Sequence, residues 1–121
     1  MRYLALLRAT QPGTPPPPEL MDAIMRLGEE ATKAGVLLDE GGLAPSAMGA
    51  RIAVAGGDLN VTDGPFAESK EMISYAVYEV RSKEEALDWV GRFMKVHLDL
   101  WDGWEGEGDV LRIFGPEDIP Q

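Results

Sequence analysis

The sequence has no cysteine, which excludes disulfide frameworks, thiolate zinc sites, iron–sulfur clusters and cysteine nucleophiles together. The redox compartment is left unmarked. Histidine is almost as scarce: His97 stands alone, so no histidine pair has metal-ligand spacing. Positive charge is thin as well, with 11 lysines and arginines against 21 aspartates and glutamates, a net charge of -10 at pH 7. No basic cluster occurs, electrostatic binding to phosphate backbones is disfavoured, and nucleic acid is not an expected partner. Long apolar runs are missing: the opening Arg2-Tyr3-Leu4-Ala5-Leu6-Leu7 stops at Arg8, far short of a signal core or a membrane span. We therefore expect a cytoplasmic protein without a membrane partner. No glycine-rich phosphate loop follows a strand, and Ser46, Ser69, Ser74 and Ser82 lack a neighbouring base. Neither a cofactor nor a metal is expected.

What remains is an ordinary globular composition, 45% hydrophobic and 26% charged over 121 residues, enough for one domain spanning residues 1–121. Arg2 to Ala9 reads as a buried strand closed by the turn signal Thr10-Gln11-Pro12-Gly13. Pro15 to Pro18 form a stiff connector, with Pro18 suited to the first helical position; a proline-groove docking role is the lesser reading. Leu20, Ile24, Leu27, Ala31 and Ala34 then recur at helical steps, and Gly35 suits the C-cap. Val36 to Leu38 read as a second strand, broken or bulged by Asp39-Glu40-Gly41-Gly42. Arg51 to Ala55 and Leu59 to Thr62 flank Gly56-Gly57-Asp58, a hairpin signal. Met72 to Val80 is apolar on both alternating faces apart from Ser74 and Glu79, the pattern of a central strand covered on two sides. Ser82 and Glu85 make a capping box for a helix with Ala86, Val90, Phe93 and His97 on one face. After a glycine-spaced loop, Val110 to Phe114 alternate as a last strand.

Two strand–helix–strand halves joined through a hairpin predict an α+β, ferredoxin-like fold: an antiparallel sheet with two main helices on one face and a β-hairpin insertion. The second sheet face would leave apolar surface in water at about 25 cal/mol per Å². A homodimer built sheet to sheet is the expected partner arrangement.

The most distinctive stretch is Asp63-Gly64-Pro65-Phe66-Ala67-Glu68-Ser69-Lys70-Glu71. Asp63 can accept from backbone N–H groups just ahead, Gly64 permits a restricted conformation, Pro65 fixes the exit and Phe66 is expected to plug the core. Glu68 and Lys70 share a face in extended chain and can pair, or grip a polar ligand at a pocket rim. A structural turn is the plainer reading of the stretch.

With Gly35-Val36-Leu37, Gly42-Leu43-Ala44-Pro45 and Leu111-Arg112-Ile113-Phe114, these nine residues resemble the DGPF-domain proteins of the YCII-related family. The likeness spans nearly the whole chain. It implies a ferredoxin-like fold of the dimeric α/β-barrel type, dimers that pair their sheets, and a pocket between sheet and helices. It would also make the corner residues, Asp63, Gly64, Pro65, Phe66, Glu68 and Lys70, candidates for ligand contact. Through related YCII proteins it implies an enzyme reading, with a histidine–aspartate pair in the pocket. This chain departs from that pattern: its first strand has no histidine, and Ile73-Ser74 stand where many relatives have two glycines.

His97, at the end of the second helical face, is the remaining imidazole. Structure is its plainest role, with the helix C-terminus favouring partial protonation; as a general base it needs an orienting carboxylate, Asp63 being one candidate. Trp101 and Trp104, among glycines and acids, either close a pocket as a lid or seal a dimer seam, the seam being favoured. Two functions follow. One is a module binding a small polar molecule or supporting a partner; the other is an enzyme in which Asp63 or His97 moves a proton while Lys70 or Arg112 neutralises an anionic substrate.

Overall fold

A computed structural model describes residues 1–10 and 13–119, so the turn expected over Thr10 to Gly13 lies partly outside the described residues. The order is β1 (Arg2–Ala9), α1 (Pro18–Lys33), β2 (Leu37–Gly42), a 3-10 turn (Ser46–Met48), β3 (Ala50–Ala55), β4 (Asp58–Asp63), β5 (Glu71–Glu79), α2 (Lys83–Leu100), β6 (Gly106–Ile113) and a 3-10 turn (Pro116–Asp118). Four strands form one antiparallel sheet in the order β2-β5-β1-β6, while β3 and β4 pair separately as a two-stranded ribbon. Both helices cross the sheet between strands, an α+β arrangement compatible with the ferredoxin-like expectation.

Local chemistry accounts for most boundaries. Pro18 opens α1 after an extended Pro17, its missing N–H costing nothing there, and Gly35 ends it at φ 74°, a backbone conformation that disfavours any Cβ. Ser82 Oγ accepts from the Glu85 backbone N–H at 3.1 Å, and the Glu85 carboxylate accepts from the N–H of Arg81, one residue earlier than a standard capping box. Gly56 and Gly57, at φ 60° and 81°, form the tight turn between β3 and β4.

Two strands run further than expected, for one reason. Gly41 and Gly106 look like breakers, but each lies beneath an aromatic ring in extended chain. A Cβ on Gly41 would sit 2.8 Å from the Tyr75 ring, and one on Gly106 would overlap Trp104. Glycine here makes room for a ring instead of ending a strand. β2 therefore continues to Gly42 past a bulge between Leu37 and Asp39, and β6 begins at Gly106.

The core sits between the helices and one face of the sheet. Tyr3, Val36, Tyr78, Val80, Ala31, Ala86 and Val90 form its cluster, with Leu20 buried alongside. Phe66 does not plug it. That ring is half-buried under the Arg51 guanidinium, 4.1 Å from its centroid.

The corner after β4 is held by the 3-10 turn at Ser46. Gly64 N–H donates to Gly49 O at 3.0 Å, Phe66 N–H to Ser46 Oγ at 3.1 Å, and Ser46 Oγ to Glu71 Oε1 at 2.7 Å. A Cβ on Gly64 would overlap the Ser46 carbonyl oxygen, which is backbone and cannot swing aside. Gly64→Ala is accordingly expected to lower stability by about 1–3 kcal/mol. Gly91→Ala, where an added Cβ meets nothing within 4 Å on an exposed turn of α2, should raise it by about 0.5–1 kcal/mol. Urea denaturation of the two variants checks both signs.

Candidate functional site

The sheet face under the helices carries a gradient of side-chain size. Near one end, register aligns Leu37, Tyr78, Tyr3 and Arg112 across the four strands. Further along come Glu40, Ala76, Ala5 and Val110, and then Gly42, Ser74, Leu7 and Gly108. Tyrosines fill the space between sheet and helices at the first row. Alanine, serine and glycine leave it open at the next two.

The result is a cavity of about 420 Å³. Ala5, Leu7, Ser74, Ala76 and Tyr78 floor it, Leu20, Met21, Ile24 and Met25 of α1 wall one side, and Val90, Phe93, Met94 and His97 of α2 wall the other. Methionines on both helices give the walls adaptable, polarizable surface. No lysine or arginine lines it. Glu40 stands towards α1, where Gly28 leaves room for it: a Cβ on Gly28 would lie 3.2 Å from the carboxylate. Burial, and then the nearby Glu40 charge, push the Tyr78 hydroxyl pKa up, so that phenol stays neutral.

His97 is the chemical centre of this surface. It is 4% exposed, between the Phe93 ring (centroids 4.8 Å apart) and the Trp104 ring (4.6 Å). Its Nδ1 lies 2.8 Å from the Phe93 carbonyl, which can only accept, so Nδ1 carries the proton. Burial pushes its pKa below the ordinary value, outweighing the opposing pull of that carbonyl. The charge expected from the helix end is thus reversed, because loss of solvent dominates over the terminal dipole. A neutral imidazole with Nδ1 committed leaves the Nε2 lone pair as acceptor or base. Among the described residues Nε2 meets no partner, no fully buried side-chain nitrogen or oxygen is left unsatisfied, and His97 lines the cavity.

Of the other candidates, Trp101 lines the cavity, and Trp104 backs His97 while lying over Gly106, with the two indoles stacked 6.4 Å apart. The corner residues Asp63, Gly64, Pro65, Phe66, Glu68 and Lys70 do not line the cavity. The structure does not bring Asp63 to His97, and no hydrogen bond to the exposed Asp63 carboxylate occurs among the described residues. Glu68 and Lys70 pair elsewhere, Glu68 with Arg51 at 2.7 Å and Lys70 with Glu107 at 3.5 Å. Arg112 is held by Asp118 at 3.2 Å. Sequence reasoning missed the floor: Ala5, Ser74, Ala76 and Gly108 become a set only once strand register is known.

A family model described as YCII-related domain matches residues 1–102. The chain belongs to the YCII-related family. Comparison with curated proteins finds no match. The YCII-related domain thus covers both helices and the five strands β1 to β5, and with them most of the cavity wall. Among the described residues no helix is long and apolar enough to cross a membrane, and no cluster of three or more histidines, aspartates or glutamates is placed to hold a metal ion.

The buried neutral imidazole has a consequence for stability. Its folded pKa lies below the unfolded value of 6.5, so as pH falls the unfolded chain takes up the proton first. Stability contributed by neutral His97 is complete above that value and is lost as pH falls from about 6.5 towards the folded pKa. Urea midpoints of the wild type should fall across this acidic window more steeply than those of His97→Gln, whose side chain does not titrate.

Proposed function

We propose that this YCII-related domain binds a small, uncharged and largely apolar molecule in the cavity between its sheet and helices. The ligand's main polar anchor is the Nε2 of His97. The observation that supports this most directly is the composition of the lining: mostly methionine, leucine, isoleucine, alanine and aromatic side chains, with His97, Ser74, the tyrosine hydroxyls and Glu40 as its polar groups and no lysine or arginine. Volume agrees, since about 420 Å³ lies within the range of small-molecule sites. An anionic ligand would enter a site with no basic side chain and a carboxylate at Glu40, which moves the ligand away from the polar or anionic molecule of the two readings above.

The working unit in this reading is a homodimer of the dimeric α/β-barrel type, with DGPF-type corners. Strand alternation sends Leu4, Leu6, Tyr75, Val77, Leu111 and Ile113 to the sheet face away from the helices, where Leu111 and Ile113 are exposed and the other four are half-buried. Ion pairs flank that patch, Arg2 with Glu79 at 3.4 Å and Arg8 with Asp109. A second copy covers it with like surface, the isologous arrangement of a two-fold dimer.

Catalysis is the second reading, and the tautomer of His97 favours it: with Nδ1 donating to Phe93 O, Nε2 is set to take a proton from a bound molecule. The expected Asp63 partner is not in the cavity, so a carbonyl, not a carboxylate, orients the ring.

Isothermal titration with naphthalene, 1-naphthol and 1-naphthoate tests the binding reading. Binding of 1-naphthol several-fold tighter than naphthalene, with 1-naphthoate weakest, is the expected order. His97→Phe should abolish the preference for 1-naphthol. Binding by none of the three, or by 1-naphthoate best, overturns it. For the dimer, sedimentation should show two copies at micromolar concentration, and Leu111→Arg, on the 54% exposed edge of the patch, should weaken association at least tenfold. A folded wild-type monomer at that concentration removes the dimer.

A further inference from the structure

The ribbon of β3 and β4 stands apart from the body of the domain. Every residue from Ala50 to Asp63 is exposed. The ribbon is tied down only at its root, where Gly64 N–H donates to Gly49 O at 3.0 Å and Arg51 meets Glu68 and the Phe66 ring. Register gives it two unlike faces. Ala50 opposes Asp63, Ile52 opposes Val61 and Val54 opposes Leu59 on one; Arg51 opposes Thr62, Ala53 opposes Asn60 and Ala55 opposes Asp58 on the other. The four large apolar side chains of the first face are 69%, 69%, 76% and 72% exposed in the order Ile52, Val61, Val54, Leu59.

That is an apolar face of roughly 500 Å² per ribbon, in the upper part of the ~300–600 Å² range of the largest patch on an ordinary monomer, a size that is often functional. A two-stranded ribbon has little stability of its own without something packed on its apolar side. We infer that the β3–β4 ribbon is an arm that clasps a second copy of this chain, laying the face formed by Ile52, Val54, Leu59 and Val61 on the other protomer.

Two features select a second copy as the occupant. The first is area. Two such arms related by a two-fold axis bring roughly 1,000 Å² of apolar surface, most of the way to the ~1,600 Å² of a standard interface, and the uncovered sheet face supplies the remainder. The second is charge. The chain carries -10, so two copies repel over most of their surface. The apolar face of the arm carries a single charge, Asp63 opposite Ala50 at its root, and Arg2, Glu79, Arg8 and Asp109 beside the open sheet are already paired within one chain. These are the surfaces on which an acidic protein can meet its own copy. Six residues per strand, at about 3.4 Å each, give the arm a reach of about 20 Å, enough to extend past a sheet edge.

The inference rests on the dimer reading above, and the test separates the two. Sedimentation equilibrium is run on wild type, Leu111→Arg and the double variant Ile52→Asn, Val61→Asn, with far-ultraviolet circular dichroism to verify the fold. Because the ribbon contributes nothing to the core, the double variant should keep its spectrum and thermal midpoint as a monomer while its dimer dissociation constant rises at least tenfold. A dissociation constant that Leu111→Arg raises but the double variant leaves unchanged overturns the arm and keeps the dimer. A monomeric wild type overturns both. Amide exchange in residues 50–63 supplies a second readout: it should slow as wild-type concentration rises through the dissociation constant, and exchange independent of concentration rejects the arm.

Discussion

The size gradient across the helix-facing side of the sheet is the constraint on which the rest of this molecule depends. Tyr3 and Tyr78 are neighbours on adjacent central strands and occupy the space beneath the helices at one end, both nearly buried. Within two residues along the same strands the floor drops to Ala5 and Ala76, and two further to Ser74 with Gly108 across Leu7. Side chains stand perpendicular to a sheet, so the height of this floor is set by residue size and nothing else. Helices that rest on tyrosine at one end cannot descend onto alanine and glycine at the other without tilting out of contact with each other. Contact between α1 and α2 is maintained, reinforced by the Arg92–Glu30 ion pair, and the space stays open. The cavity is therefore a consequence of core packing, and filling it by substitution on the floor should disturb the helices less than removing either tyrosine.

The same constraint fixes the chemistry available. A cavity floored largely by alanine and walled by methionine offers few water-like partners, and burial there pushes both Tyr78 and His97 towards their neutral forms. His97 obeys this although it sits in the last turns of α2, where a cation is ordinarily favoured. Phe93 beneath it and Trp104 beside it remove solvent from the ring, and Phe93 also supplies the carbonyl that fixes the tautomer. One helical turn thus provides an oriented lone pair without a carboxylate. A histidine held by a carboxylate gains basicity from the adjacent negative charge, whereas one held by a carbonyl gains orientation with much less electrostatic help. Hydrogen-bond acceptance suits such a group better than abstraction of a weakly acidic proton.

Much of the fold was legible in the sequence because it rests on local signals. Pro18, Gly35 and Ser82 mark helix ends by chemistry that acts within a few residues, and Gly56-Gly57 marks the hairpin in the same way. The two-faced apolar pattern of Met72 to Val80 correctly places β5 in the middle of the sheet. What was not legible depends on partners distant in the chain. Gly41 and Gly106 read as breaks until Tyr75 and Trp104 are seen lying over them. Glu68 and Lys70 look like a pair until Arg51 and Glu107 claim one each. The corner from Asp63 to Glu71 is the most distinctive sequence in the chain, yet its hydrogen bonds serve the 3-10 turn at Ser46, and distinctiveness there reflects a backbone contact too close for a side chain at Gly64. The cavity floor carries no distinctive residue at all. Alanine, serine and glycine become a site only by adjacency across strands, which no spacing along the chain encodes.

Apolar surface in this chain is divided among places that differ in what they can be for. The cavity is concave and roofed by helices, so its occupant is small. The open sheet face and the ribbon are convex or flat and have no roof, so theirs must be large. A chain with so few buried large side chains, Leu20 being the largest that is fully enclosed, leaves a substantial share of its hydrophobic free energy unrealised as a monomer. Association, as proposed above, would recover it without demanding a larger core. It also couples the two kinds of surface, because the sheet whose far side a second copy would press is the floor of the cavity: Leu4 and Leu6 alternate with Ala5 and Leu7 on β1. Fixing the flat face in a dimer would hold the floor's curvature, and so the volume above it, at a single value.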